Sequence, residues 1–177
     1  MNVKETIRQR REITHYLEKP ISEEELQQLL NAGYLSPTGN NLPPREFVLI
    51  TNRAMLEHLA LSTPFVPWLA EAQAAIVITG RPSVSKYWLQ DASIACGFVW
   101  LQATDLGIGC AFGAIYNAED QAEAEKREDY VRVALHIPDD RRIVAILGFG
   151  YPAEMPPAKK QIQKESSIHV EKFEEKE

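Results

Sequence analysis

The residues best suited to chemistry fall in three short stretches of this 177-residue chain. Arg10-Arg11 stands where a helix gives way to an extended segment. A planar guanidinium fork holds phosphate oxygens bidentately, so the pair is a candidate phosphate grip. Two arginines that only complement the C-terminal end of a helix dipole also account for the pair taken alone. Ser36-Pro37-Thr38-Gly39-Asn40-Asn41 is rich in groups that can hydrogen-bond a polar ring edge or a polyol chain; its plainer reading is an ordinary turn. Gly107–Ala114 sets small residues where backbone could approach a flat ring closely, or is a helix cap running into a packed strand. His15, His58, His136 and His169 have no metal-ligand spacing, and no GxxxxGK[ST] loop is present. Gly107-Ile108-Gly109 follows a helix rather than a strand and so is no dinucleotide fingerprint. No nucleophile–base pair stands out, so no catalytic side chain is assigned, and any chemistry must come from a bound cofactor.

The elements that position these stretches can be read from periodicity and caps. Thr6–Arg11 is expected to end a first helix, and Thr14–Pro20 to be extended because Pro20 disfavours helix before it. Ser22 and Glu25 form a capping box, and Leu26, Leu29, Leu30 and Gly33 share one face of a helix reaching about Leu35. Ser36–Pro44 is a loop by composition. Phe47–Thr51 is an expected strand, Arg53–Ser62 a helix capped by Asn52, and Thr63–Trp68 a Pro-rich turn. Ala74–Thr79 and Ile143–Phe149 are apolar enough for buried strands. Leu89–Leu106, charged only at Asp91 and Asp105, is a core or interface helix that Gly107 ends. Ala118–His136 is expected to be helical, stopped by Pro138. Helices interleaved with three or four short strands predict an α+β domain around one sheet.

The length is about one domain's worth. The 45% apolar and 25% charged residues are ordinary for a globular protein. A net charge of −6 speaks against a nucleic-acid footprint or an acidic membrane surface. The apolar runs are too short to span a bilayer, and the first residues are polar, so the expected location is cytoplasmic. Cys96 and Cys110 are too few for a disulfide framework. From Ala153 the chain turns Pro- and Lys-rich and then strongly charged, a tail that cannot build its own core.

Taken in order, four motifs resemble the nitroreductase family of FMN-dependent oxidoreductases, over about residues 7–173. Arg10-Arg11-Glu12-Ile13-Thr14-His15-Tyr16 is similar to its Arg-Arg-Ser-Ile-Arg-x-Phe/Tyr segment. Ser36–Phe47 resembles its Ala-Pro-Ser-x-x-Asn-x-Gln-Pro-Trp-x-Phe loop and strand. The long helix entering Gly107-Ile108-Gly109 and then Phe112-Gly113 resembles its Gly-Leu-Gly stretch. Gly148–Glu154 is similar to its near-terminal Leu-Gly-x-Pro-x-Glu. Glu12, Thr14, Pro43 and Arg45 depart from the usual Ser, basic residue, Gln and Trp.

The resemblance implies a three-layer fold with a central, mostly antiparallel sheet flanked by helices. Residues 1–152 would form the FMN-binding domain, and residues 153–177 an extension exchanged between the subunits of a homodimer with FMN at its interface. Arg10, Arg11, the backbone near Glu12, and Thr14 would approach the phosphate and ribityl chain. Pro37, Thr38 and Asn41 would reach the flavin from the other subunit, Phe112, Gly113 and Ala114 would face the ring, and Lys159 or Lys160 would complete the phosphate site. Ile168, Val170 and Phe173 would anchor the tail on the partner, unless it is simply solvated. The implied reaction takes hydride from NADH or NADPH through FMN to a small organic acceptor, a nitroaromatic or quinone, with ping-pong kinetics. Two other readings stay open: a flavin-binding carrier or sensor without reductase turnover, and a flavin-free interaction module.

Overall fold

Strand β2 (Ala74–Gly80) is buried along its whole length, which a run of Ala, Ile, Val and Thr allows only with cover on both faces. In the computed structural model, which describes residues 1–158, 160–161 and 163–175, it is a central strand. β1 (Arg45–Ile50), β3 (Gly109–Ala114) and β4 (Arg142–Gly150) complete a four-stranded sheet in the order β1-β2-β4-β3. Every pairing is antiparallel. Alternation along β2 sends Ala74, Ile76 and Ile78 to one face and Ala75 and Val77 to the other. The register slips between Ile78 and Thr79, so Val144 of β4 has no opposite residue, and a bulge bends the strand there.

Each sheet face carries a helical layer, giving the α+β three-layer arrangement expected from the resemblance. Leu26 and Leu29 of α2 (Glu23–Leu35) and Ala92, Cys96, Val99 and Ala103 of α4 (Trp88–Asp105) pack on the first. Leu56 and Leu59 of α3 (Arg53–Leu59) and Val131 of α5 (Gln121–Leu135) cover the second. The α2 capping box forms as its sequence specifies: Glu25 N–H donates to Ser22 Oγ at 3.3 Å and Ser22 N–H to Glu25 Oε2 at 2.9 Å. Helix α4 closes in a Schellman motif, with Gly107 at φ +74 and the Ile108 N–H on the Ala103 carbonyl.

Three helix boundaries differ from expectation. α1 (Val3–Gln9) starts at an Asn2–Glu5 capping box and stops before the arginine pair, because Arg10 takes an extended ψ of 125. α3 is shorter than Arg53–Ser62 and continues only as turns. α5 begins at Gln121, because Asn117 Oδ1 accepts the Glu119 and Asp120 N–H groups in a tight turn and Asp120 becomes the N-cap. Beyond β4, the Ala153 N–H donates to the His15 carbonyl, and the described tail is irregular apart from a 3-10 turn at Lys164–Ser166. No helix among the described residues is long and apolar enough to cross a membrane.

Candidate functional site

β3 is an edge strand, and its outer side is met by the segment that follows α1. Glu12 bridges Cys110 in parallel, and the Ile13 N–H donates to the Cys110 carbonyl at 3.0 Å. Tyr16 locks the far end of the segment, its hydroxyl donating to the carbonyls of Ile13 (2.5 Å) and Gly148 (3.2 Å). Burial pushes the Tyr16 phenol well above its ordinary pKa, so it stays a neutral donor. The segment thus meets β3 at Cys110 through Glu12 and Ile13, and the extended stretch expected from Thr14 then runs antiparallel to the chain that leaves β4, with Tyr16 bridging Pro152 and the Leu17 N–H donating to the Tyr151 carbonyl at 2.8 Å.

The two arginines are held differently. The Arg10 guanidinium lies 4.5 Å from the centroid of the Trp100 ring. Its N–H donors have no hydrogen-bond partner among the described residues. Arg11 folds back on the end of α1, Nη1 donating to the carbonyls of Arg8 (2.9 Å), Gln9 (3.1 Å) and Arg10 (3.0 Å). That is the helix-end role that the sequence left open. Its Nε is buried with no partner among the described residues. The Trp100 indole N–H donates to the Arg11 carbonyl at 3.2 Å, and its ring runs nearly parallel to Phe112, with centroids 6.3 Å apart. Glu12 turns its carboxylate to the Phe112 N–H at 3.4 Å. Arg10, Arg11, Glu12 and Phe112 therefore meet around Trp100, with half-buried Thr14 on the same segment and buried Gly113 and exposed Ala114 next along β3.

The loop of Pro37, Thr38 and Asn41 is fixed elsewhere. It contains a short 3-10 turn, Gly39–Asn41. The Gly39 N–H donates to the buried Asp91 carboxylate at 2.8 Å, in the first turn of α4. Trp100 lies nine residues further along that helix, about 13 Å at ~1.5 Å rise per residue. Within one chain, the loop and the arginine pair are held at separate points of α4. Lys160 is exposed in the tail, and Lys159 lies outside the described residues.

Other polar candidates are accounted for. No cluster of three or more His, Cys, Asp or Glu among the described residues could hold a metal. His15 pairs with Glu71, and His58 stacks on Tyr130. Burial pushes the Cys96 thiol up to about 12 and Cys110 well above the ordinary thiol value, so neither supplies a thiolate. Sequence reading missed Trp100, whose contacts with Arg11 span 89 residues, and the anchoring role of Asp91. Asp91 did leave a signal, as an isolated charge in an apolar helix.

The family model described as "Nitroreductase family" matches residues 7–64 and 57–151. The chain belongs to the nitroreductase family. The matched stretches of that family include the arginine pair, the Ser36–Asn41 loop and β3, and stop short of Lys159 and Lys160. A relative from Methanothermobacter thermautotrophicus, provisionally named NADH dehydrogenase/NAD(P)H nitroreductase, is 31% identical over 98% of this chain and 88% of its own length. A crystal structure from Bacteroides thetaiotaomicron under the same provisional name shares 30% identity at a TM-score of 0.88, covering 97% of this chain and 98% of that one. An FMN-dependent nitroreductase from Clostridium difficile shares 28% at 0.86, covering 95% and 98%.

Proposed function

We propose that this chain is an FMN-dependent NAD(P)H oxidoreductase of nitroreductase type, passing hydride from NADH or NADPH to a small organic acceptor such as a nitroaromatic or quinone. The observation that carries the reading is the Arg10–Trp100–Phe112 arrangement at the edge of β3. A guanidinium whose donors have no partner among the described residues is chemistry that suits a phosphate dianion, and Arg11, next in the chain, has a buried Nε without one among them either. The similarity to an FMN-dependent nitroreductase supports the same cofactor. Bound FMN would supply the hydride chemistry. This chain would then supply the phosphate contacts through Arg10, with Arg11 and Thr14 beside it and Lys159 or Lys160 from the tail. Phe112, Gly113 and Ala114 would line the ring. Glu12 has to give up the Phe112 N–H if the ligand takes that donor.

The assembly that suits this site is a homodimer, with Pro37, Thr38 and Asn41 contributed by the partner. Supporting it, an apolar groove between α1, α2 and α4 is lined by Val3, Leu35, Phe98 and Leu101. Val3 and Leu35 are more than 70% exposed in the single chain. Ile168, Val170 and Phe173 are also exposed and would bind the tail of residues 153–177 to the partner. The test is the visible absorption spectrum and solution mass of the purified protein, followed by NADH and NADPH oxidation with quinone and nitroaromatic acceptors. A flavin spectrum at about one per chain in a dimer, with parallel double-reciprocal lines, is expected. A flavin-loaded dimer that oxidises neither nucleotide would favour a carrier or sensor; a colourless protein that ignores added FMN would refute the assignment.

A further inference from the structure

Helix α4 is apolar on nearly every side, yet its first turn buries a carboxylate, Asp91, at 3% exposure. A buried charge is unfavourable unless its acceptors are used. Asp91 uses them on the loop and its support: Oδ1 accepts the Gly39 N–H at 2.8 Å, and Oδ2 the Ser85 hydroxyl at 3.5 Å. Ser85 Oγ in turn accepts the N–H of Tyr87 at 3.1 Å. The Tyr87 ring closes on Gly39 so tightly that a Cβ there would meet Cδ2 at 2.4 Å.

The other side of the loop is held by a cation. Arg45 donates through Nη1 to the Pro37 carbonyl at 3.2 Å, and through Nη2 to the carbonyls of Tyr34 (3.1 Å) and Ser36. Burial lowers the Arg45 pKa, and the Asp91 charge works against that shift. Carbonyls of the loop therefore meet a guanidinium, and its N–H meets a carboxylate. Just beyond Gly39, Asn40 and Asn41 adopt successive left-handed conformations, φ 56 and 54, which asparagine tolerates better than other non-glycine residues. The carbonyls of Ser36, Pro37, Thr38 and Gly39 and the N–H groups of Ser36, Gly39 and Asn41 all have partners, which fixes this part of the loop backbone. The side chains of Thr38, Asn40 and Asn41, by contrast, make no hydrogen bond among the described residues. A rigid backbone that presents unspent polar side chains is how a binding loop is preorganised.

We propose that Asp91 and Arg45 are positioning residues that clamp the Ser36–Asn41 loop in the geometry required for FMN; this rests on the flavin-binding function proposed above. Neither residue touches the ligand; they act through Gly39 and through the carbonyls of residues 34, 36 and 37.

The test is FMN affinity, measured by quenching of FMN fluorescence, together with hydrogen exchange at the Gly39 amide in flavin-free protein. Asp91→Ala is expected to raise the FMN dissociation constant at least about tenfold and to abolish protection at Gly39, while Asp91→Asn, which keeps an oxygen for the Gly39 N–H, stays within about threefold of wild type. Arg45→Met, at a half-buried surface position, should weaken binding in the same way with Arg45→Lys intermediate, and it carries the test if Asp91→Ala does not fold. An unchanged dissociation constant in folded Asp91→Ala or Arg45→Met protein overturns the clamp, as does an Asp91→Asn variant as impaired as Asp91→Ala. Wild-type protein that binds no FMN overturns the flavin reading, and the clamp's role with it, even if Gly39 is protected as expected.

Discussion

Replacing Arg10 and Arg11 one at a time separates two roles that the sequence could not. The Arg10 guanidinium has no hydrogen-bond partner among the described residues while its flat face rests on Trp100, so the cation–π contact is present with or without a ligand and largely cancels in binding. What Arg10→Ala removes is then the charge-assisted contact to phosphate. Hydrogen bonds to charged groups are worth about 1.5–3 kcal/mol, so FMN affinity should fall roughly 10- to 150-fold. Arg11→Ala instead strips a donor from three carbonyls at the end of α1. Those bonds are exposed or half-buried and exist in the free protein, so their loss should show mainly in the melting temperature, with a smaller effect on affinity through Nε. FMN fluorescence quenching at two salt concentrations, with thermal unfolding of the flavin-free variants, reads both effects. Arg10→Ala protein that keeps FMN within about threefold of wild type, while Arg11→Ala loses it, would reverse the assignment. If both single variants and the double variant retain FMN, the phosphate is held elsewhere and the reasoning fails.

Two further outcomes test the scaffold and the assembly. Glu128 is 2% exposed and accepts from Arg142 through two nitrogens and from the Ile143 N–H at 2.8 Å; Glu128→Ala should cost about 3–5 kcal/mol in urea unfolding, and Glu128→Gln clearly less, equal losses arguing against the hydrogen-bond account. Phe98→Asp places a charge on the α4 face that the proposed dimer covers, so it should yield a monomer by sedimentation that also loses FMN; a monomer that retains flavin would show that the site needs only one chain.

What was legible in the sequence was whatever local chemistry decides. Ser22 and Glu25 are three residues apart, so the start of α2 could be read directly, and so could its Leu26–Leu29 face. Gly107 marked the end of α4 because a left-handed C′ residue favours glycine. β2 declared itself as an uninterrupted apolar run. The errors also have local causes. Arg10 and Arg11 look like helix-ending cations, and nothing in the window shows that Arg10 has already left the helix to lie on Trp100. Ala118–Asp120 continued the amphipathic pattern of α5, but Asn117 offers the Glu119 and Asp120 N–H groups a competing acceptor and delays the helix by three residues. The clamp was illegible for another reason. Asp91 and Gly39 are 52 residues apart, and Glu128 reaches Arg142 only because α5 packs against β4. Pairings set by topology leave no periodicity to read. Arg45 could be seen only as a departure from the family's loop, while its bonds to three carbonyls give that departure a structural purpose.

Helix α4 connects these parts. Asp91 holds the loop near its start, Trp100 holds the arginine segment and Phe112 nine residues later, and the exposed Ile94 and Phe98 lie between them. Gly97 lies there as well, and apart from its chain neighbours and its own helix backbone no described residue comes within 4 Å of where a Cβ would stand. A two-fold contact presents the same patch from both subunits, and where its axis runs across α4 the helix would cross its copy antiparallel about one central point. If that point lies between Ile94 and Phe98, midway from Asp91 to Trp100, the loop end of one helix comes opposite the Trp100 end of the other. The roughly 13 Å that keeps the loop from the arginine pair within a chain would thus be spanned by the partner's helix rather than by any motion of the loop. In that arrangement a rigid loop would suit the geometry: it would have no ligand in its own chain to adjust to, and would be in place before the partner's Arg10 and Phe112 met it.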